Sequence, residues 1–172
     1  MKVSRRVFLG TAVGGTLAVL VGGVLVPLPA AAGLRVLSSG EHETLAAILD
    51  ALYPAGVLGP SAAEAQVATQ MDAHMANMLG REQHLMRLFL RLMEQRSRLD
   101  AGSRFTRLPL ADRVELLNRW EAVGDVWSLG VKAVRALSAL FYFNDERVMT
   151  ALNWGVGCAA WGPTPGFHPE AP

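Results

Sequence analysis

The sequence contains one cysteine, Cys158, among its 172 residues. A single cysteine excludes an internal disulfide, a zinc site built of thiolates and an iron–sulfur cluster held by cysteines. The motif C-x-x-C-H is absent, so the chain carries no attached c-type haem. In an exported protein such a cysteine is either a buried thiol or half of a disulfide to another chain, and the sequence leaves both open.

Histidine is also scarce, and its spacing does not favour a metal site. His74 and His84 are ten positions apart with Gly80 between them, and they are predicted to lie on solvated helix faces. No Glu-x-x-His pair lies on two facing helices, which excludes the di-iron bundle pattern. No glycine-rich loop follows a strand, so a phosphate site is not predicted either. The sequence therefore predicts no catalytic residue, no cofactor and no metal in this chain.

The chain lacks an excess of one charge. Residues 1–32 hold three of the 16 lysine and arginine residues and none of the 15 acidic ones, so the remainder carries 13 basic and 15 acidic residues, a net charge of −2. The arginines between Arg81 and Arg107 alternate with acidic residues, which predicts a solvated helix face. A nucleic-acid partner is not expected.

The first 32 residues have the plan of an export signal. A basic start is followed by an uncharged apolar run, Gly10 to Val26, and then by the small residues Ala30 and Ala32 of a cleavage site before Gly33. The segment Ser4-Arg5-Arg6-Val7-Phe8-Leu9 resembles a twin-arginine signal, whose translocase exports folded proteins. Arg5, Arg6, Phe8 and Leu9 are the predicted targeting residues, and the periplasm is the predicted compartment.

Two other interpretations of this segment remain open. It can be an ordinary secretory signal, or an uncleaved anchor that keeps the protein associated with the membrane. The apolar run approaches the length of a membrane-spanning helix. Its glycines weaken it as a helix, which favours cleavage.

The rest of the chain has helical periodicity and no convincing strand alternation. We predict an all-α fold, a small irregular bundle of five to six helices over residues 33–152. Helices are expected to start at Ser38 and Ser61, each with a glutamate three residues later, and at Asn144. Met71, Met75 and Met78 share one helical stripe, which indicates core packing.

The last twenty residues, 153–172, change character. They are rich in glycine and proline, which forbid regular structure, yet they carry large aromatic side chains that favour burial. We predict an extended tail that lies on a surface, either of its own domain or of a partner. The predicted interface residues are Trp154, Cys158, Trp161 and Phe167.

Several segments together resemble the gluconate 2-dehydrogenase subunit 3 family. The stretch from Leu37 to Pro54 is similar to the opening helix of that family, although Tyr53 stands where isoleucine is usual. Met71-Asp72 lies in a second matching helix, and Phe105-x-x-Leu108 precedes a third matching segment. Phe141 to Asp145 and Gly155-x-Gly157 resemble its last two motifs.

The resemblance implies a small, non-catalytic subunit of a periplasmic flavin-dependent sugar or alcohol dehydrogenase. The expected partner is a large glucose-methanol-choline type flavoprotein that holds FAD and has no signal of its own. A multihaem cytochrome c is a further expected member of such complexes. This chain would bind and stabilise the flavoprotein and supply its twin-arginine signal. Cys158 belongs to no motif of the family, and both a buried thiol and a disulfide to the partner stay open for it.

Two alternatives come from other classes of protein. One is a stand-alone periplasmic helical enzyme or ligand-binding protein, which would need an apolar pocket with convergent polar groups. The other is a structural protein anchored in the membrane by an uncleaved signal.

Overall fold

The structure is a computed structural model and describes residues 28–57 and 59–153. Within these ranges the chain forms six α-helices, one short 3-10 helix (Phe105–Arg107) and no strand, which confirms the all-α prediction. The helices are α1 (Ser39–Leu52), α2 (Val67–Met75), α3 (Gly80–Ala101), α4 (Leu110–Val123), α5 (Val126–Tyr142) and α6 (Glu146–Ala151).

Helix α1 begins as the sequence predicts. The Ser38 hydroxyl accepts a hydrogen bond from the Glu41 backbone N–H, and a Glu41 carboxylate oxygen accepts one of 2.8 Å from the Ser38 N–H. This reciprocal pair satisfies two backbone groups that a helix start leaves without partners. The helix ends at Tyr53, immediately before Pro54, which cannot continue it.

The helix predicted to start at Ser61 starts six residues later. Ser61 and Glu64 do make the expected pair of bonds, but they close a single turn. Gln66 then adopts a left-handed conformation, with φ 53°. Its backbone N–H donates to the Ala63 carbonyl, and the N–H of Val67 donates to the Ala62 carbonyl. These two bonds are the usual ending of a helix, so the turn finishes at Gln66 and α2 begins at Val67.

The remaining helix boundaries follow local capping chemistry. Helices α3 and α4 end at Gly102 and Gly124, whose positive φ angles of 71° and 78° favour glycine. Asp125 caps α5 by accepting from the N–H groups of Trp127 and Ser128. The predicted cap of α6, Asn144, is wrong by one residue, because the side chain that accepts a backbone N–H is that of Asp145.

The helices enclose one apolar core. Helix α1 packs on α2, α3 and α4, while α5 packs on α2 and α4. The largest fully buried side chains are Phe105, Leu37, Leu45, Ile48, Leu49, Met71, Met75, Leu90, Met93, Leu116, Trp120 and Tyr142. Met71 and Met75 are therefore core residues, as predicted, and Met78 packs against the core from the connector after α2.

The side chain of Phe89 on α3 packs against α5 at Gly130. A β-carbon at this position would overlap the ring of Phe89 on α3. Beside this contact, Trp127 lies between Phe89 and Trp120, and the Arg96 guanidinium lies 5.4 Å from the centre of the Trp127 ring. The missing side chain of Gly130 thus allows α3 and α5 to pack through an aromatic cluster.

A pair of tyrosines fixes the end of α1 to the end of α5. The rings of Tyr53 and Tyr142 stack with centres 4.2 Å apart. The Tyr53 hydroxyl is 3.1 Å from the Ser138 hydroxyl, and the Tyr142 hydroxyl donates to the Pro60 carbonyl. Burial raises the pKa of Tyr142, with smaller contributions from Tyr53 and Asp145.

Candidate functional site

Two buried carboxylates dominate the polar interior, and both hold elements of the fold together. The first is Asp72 on α2, which is 2% exposed. It accepts hydrogen bonds from three successive backbone N–H groups, those of Arg35 at 2.6 Å, Val36 at 3.0 Å and Leu37 at 2.8 Å. Asp72 therefore fastens the segment before α1 onto α2, and three donors compensate the burial of its charge.

The second buried carboxylate is Glu41, which is also 2% exposed. Besides Ser38 it binds two arginines of α3, with Nε of Arg87 at 3.0 Å and Nε of Arg91 at 2.5 Å. Burial acts to raise the pKa of Glu41, but the hydrogen bonds from Ser38, Arg91 and Arg87 together hold it below its ordinary value. Glu41 thus links the start of α1 to α3 as a buried anion.

This ion pair corrects the prediction that the arginines of α3 form a solvated face. The side chains of Arg87 and Arg91 are only 15% and 12% exposed, because they turn inward to Glu41. Arg81 and Arg98 are exposed, in agreement with the prediction. Charges of both signs alternate along α3, and this pattern gave no indication that Arg87 and Arg91 face inward.

The segment next to the predicted cleavage site is folded onto the bundle. Ala31 donates a hydrogen bond of 3.0 Å to the Leu37 carbonyl and accepts one from Leu34. The Arg87 guanidinium also donates to the Leu28 carbonyl. Ala30 and Ala32 are exposed. The same α3 arginine therefore contacts both Glu41 and the chain that leads into the first helix.

Helix α5 has a second apolar side, which faces solvent. We call it the outer face of α5; its residues are Val126, Leu129, Ala133, Ala136 and Leu140. The three larger side chains are 67 to 71% exposed, and both alanines are exposed as well. The opposite side holds the buried residues Val131, Val134, Ser138 and Tyr142. A helix that is apolar on both sides is usually covered on both sides.

One described pocket lies between α1, α4 and α5. It has a volume of about 130 Å³ and is lined by Ala51, Leu52, Val114, Leu117, Asn118 and Arg135. Pockets for small molecules usually have volumes of about 300 to 1,000 Å³. This pocket is therefore small for a sugar or a flavin.

Among the described residues, no three histidine, cysteine, aspartate or glutamate side chains are grouped to hold a metal ion. His74 and His84 are exposed, and the His74 ring contacts Phe141 edge-on. In the same ranges no helix has both the length and the apolar character needed to span a membrane.

Most of the predicted functional residues lie outside the described residues. These are the targeting residues Arg5, Arg6, Phe8 and Leu9 and the predicted interface residues Trp154, Cys158, Trp161 and Phe167. The sequence did not indicate three further features, the backbone bonds of Asp72, the pairing of Glu41 with Arg87 and Arg91, and the outer face of α5.

Comparison with known proteins identifies the family. A search of the curated proteins and a search of the solved structures found no match. The model of the family described as gluconate 2-dehydrogenase subunit 3 matches residues 39–166, about three quarters of the chain, including all six helices. The resemblance seen in the sequence is therefore confirmed, and the chain belongs to the gluconate 2-dehydrogenase subunit 3 family.

Proposed function

We propose that this chain is the small, non-catalytic subunit of a periplasmic flavin-dependent sugar or alcohol dehydrogenase. In this role it binds and stabilises the catalytic flavoprotein and supplies the twin-arginine signal that exports the complex. The observation that carries the proposal is the family match over residues 39–166, since the family is one of dehydrogenase subunits.

The polar interior supports a binding role rather than catalysis. Asp72 uses both carboxylate oxygens to accept backbone N–H groups, and Glu41 is bound by Ser38 and two arginines. A general base or nucleophile needs a free lone pair directed at a substrate. These two carboxylates are instead committed to holding α1, α2 and α3 together, as expected of a scaffold.

The signal supports the escort role. A twin-arginine signal suits a cargo that folds and loads its cofactor before export. This chain shows no cofactor motif of its own, so the cofactor-bearing cargo would be the partner. FAD is expected in that partner, and haem c in a third subunit where one is present.

Replacing both Arg5 and Arg6 with lysine tests the proposal in the native host. We expect the flavoprotein to remain in the cytoplasm together with this chain, because it would have no signal of its own. The measurement is the amount of each subunit in periplasmic and cytoplasmic fractions. If only this chain changes compartment, the escort role is wrong and a stand-alone or anchored protein is favoured.

Purification of the tagged wild-type chain from its host tests the association directly. We expect a larger subunit in a fixed ratio and a flavin absorbance spectrum in the eluate. A chain that elutes alone and colourless from gently lysed cells would contradict the proposal.

A further inference from the structure

We propose that the outer face of α5 is the surface through which this chain packs on the catalytic subunit of its dehydrogenase. This inference rests on the proposed function, because it takes the partner from it. It adds the location of the contact on the described part of the chain.

The geometry of α5 gives the face its shape. Its five residues are separated by steps of three, four, three and four positions, which places them in one stripe along the helix. Val126 and Leu140 are fourteen positions apart, so the stripe is about 21 Å long at 1.5 Å per residue. Large side chains stand at its ends and at Leu129, and the two positions between Leu129 and Leu140 hold the small side chains of alanine. A surface of this form can receive apolar side chains from a partner.

The composition of α5 distinguishes this face from the other exposed surfaces. Its 17 residues include only two charged ones, Lys132 and Arg135, and Arg135 is paired with Glu121 on α4 at 2.8 Å. The exposed side of α4, by contrast, carries Asp112, Glu115, Asn118 and Arg119 between the exposed apolar residues Leu110 and Val123 at its ends. Single exposed leucines occur elsewhere, as at Leu99, but it stands between Arg98 and Asp100. A contiguous apolar stripe of this kind marks an interaction site.

A protein partner fits this face better than a lipid surface. Helices that lie on membranes carry clusters of lysine and arginine on the side opposite the apolar stripe. The side of α5 opposite the outer face is instead buried in the core through Val131, Val134 and Tyr142. Lys132 is the one charge of α5 that has no ion pair within the described residues. The outer face of α5 is apolar and weakly charged, as is typical of the centre of a stable subunit interface.

The closing experiment is purification of the tagged full chain from its native host under reducing conditions, so that no disulfide through Cys158 retains the partner. The test variant combines Leu129→Glu and Leu140→Glu, which places two charges on the face while leaving the core contacts of α5 intact. The control variant combines Leu79→Glu and Leu99→Glu, which are also exposed leucines but lie outside the face. We expect the flavin recovered per chain to fall at least about tenfold in the test variant and to stay within about twofold in the control.

The outcomes separate the two proposals. If the wild-type chain recovers no flavoprotein, the proposed function fails and this inference fails with it. If wild type and test variant recover flavin equally, only the inference is overturned. An equal loss in test and control variants would also overturn it. Circular dichroism of both purified variants verifies that the helices are retained, so that a loss of binding is not a loss of fold.

A labelling measurement excludes other occupants of the face. Ala133→Cys in a Cys158→Ser background gives a chain whose one thiol lies on the face. We expect rapid maleimide labelling of the isolated chain and protection in the complex. Protection in the dilute isolated chain would mean that residues 154–172 cover the face, and protection only at high concentration would mean a second copy. Protection by phosphatidylethanolamine–phosphatidylglycerol vesicles would mean a lipid surface, and each of these results overturns the proposal.

Discussion

The Asp72 carboxylate accepts a hydrogen bond of 2.8 Å from the backbone N–H of Leu37, which lies 35 positions earlier in the chain. The same carboxylate also accepts from Arg35 and Val36. A single side chain of α2 thus satisfies three backbone donors of the segment that leads into α1. These three bonds add to the burial of Leu37 and to the Arg87 contact with Leu28, which also hold that segment on the bundle.

Asp72→Asn should therefore destabilise the protein. One acceptor oxygen becomes an NH₂ group that faces a backbone N–H, so at least one of the three backbone donors loses its partner. We expect the free energy of unfolding to fall by about 2 to 3 kcal/mol. Urea titration followed by circular dichroism measures this change, and hydrogen exchange should show lost protection at residues 35–37.

The matched control for this prediction is Asp112→Asn. Asp112 is exposed in the first turn of α4, where its charge contributes only through the helix dipole. We expect a loss of about 0.5 kcal/mol or less there. Equal losses in the two variants would show that the backbone bonds of Asp72 contribute nothing.

The stability should also depend on the ionisation of Glu41. Its pKa in the folded protein lies below the ordinary value of 4.5. A group of this kind contributes stability that is fully present above the ordinary pKa and is lost as the pH falls through the folded pKa. Glu41→Gln removes this contribution together with the ion pairs of Glu41 with Arg87 and Arg91.

We therefore expect Glu41→Gln to lower the free energy of unfolding by about 3 kcal/mol at neutral pH. The difference from wild type should shrink as the pH is lowered below 4.5. Urea titrations over a series of acidic pH values measure it. A difference that stays constant with pH would contradict the assignment. Glu115→Gln is the control, because Glu115 and Arg119 form an exposed pair whose loss should cost about 0.5 kcal/mol or less.

The Phe89 ring that packs against Gly130 makes this position sensitive to substitution. Alanine at an unhindered helix position normally stabilises by about 0.5 to 1 kcal/mol relative to glycine. At Gly130 the added carbon would overlap the Phe89 ring, so the sign should reverse and Gly130→Ala should cost about 1 to 3 kcal/mol. Thermal unfolding measures the change.

Two further variants test the cause of this effect. Gly40→Ala in α1 meets no atom within 4 Å and should be neutral or stabilising. Phe89→Leu should reduce the cost of Gly130→Ala, because it removes the ring that the new carbon would meet. Additive effects of the two substitutions would show that the overlap is not the cause.

The sequence predicts the parts of this fold that depend on neighbouring residues. The Ser38–Glu41 cap is recognisable because its two members are three positions apart, and the core faces follow from helical spacing. The bonds of Asp72 and the pairing of Glu41 with α3 span 35 to 50 positions, and no local pattern indicates which distant groups will meet. The predicted start of α2 is six residues too early because the sequence gives no local signal for the left-handed conformation of Gln66.

The outer face of α5 is a different case, since its signal is present in the sequence. The periodicity of Trp127, Val131 and Val134 gives one apolar side, and Val126, Leu129 and Leu140 give a second. Helical spacing alone does not indicate which of the two apolar sides is buried. The second becomes visible once the structure shows which side is buried.

The last prediction concerns Cys158, which lies outside the described residues. Because the chain has no other cysteine, any disulfide it forms must join another chain. Under the proposed export to the oxidising periplasm, two thiols, one from each subunit, would lose two electrons to a thiol oxidant of that compartment. We expect non-reducing gels of the purified complex to show a band heavier than the 18.5 kDa chain that collapses on reduction. Cys158→Ser should abolish that band but retain the flavin, because the outer face of α5 would still hold the partner. A wild-type chain that migrates alone and whose thiol reacts fully after denaturation would instead show a free cysteine.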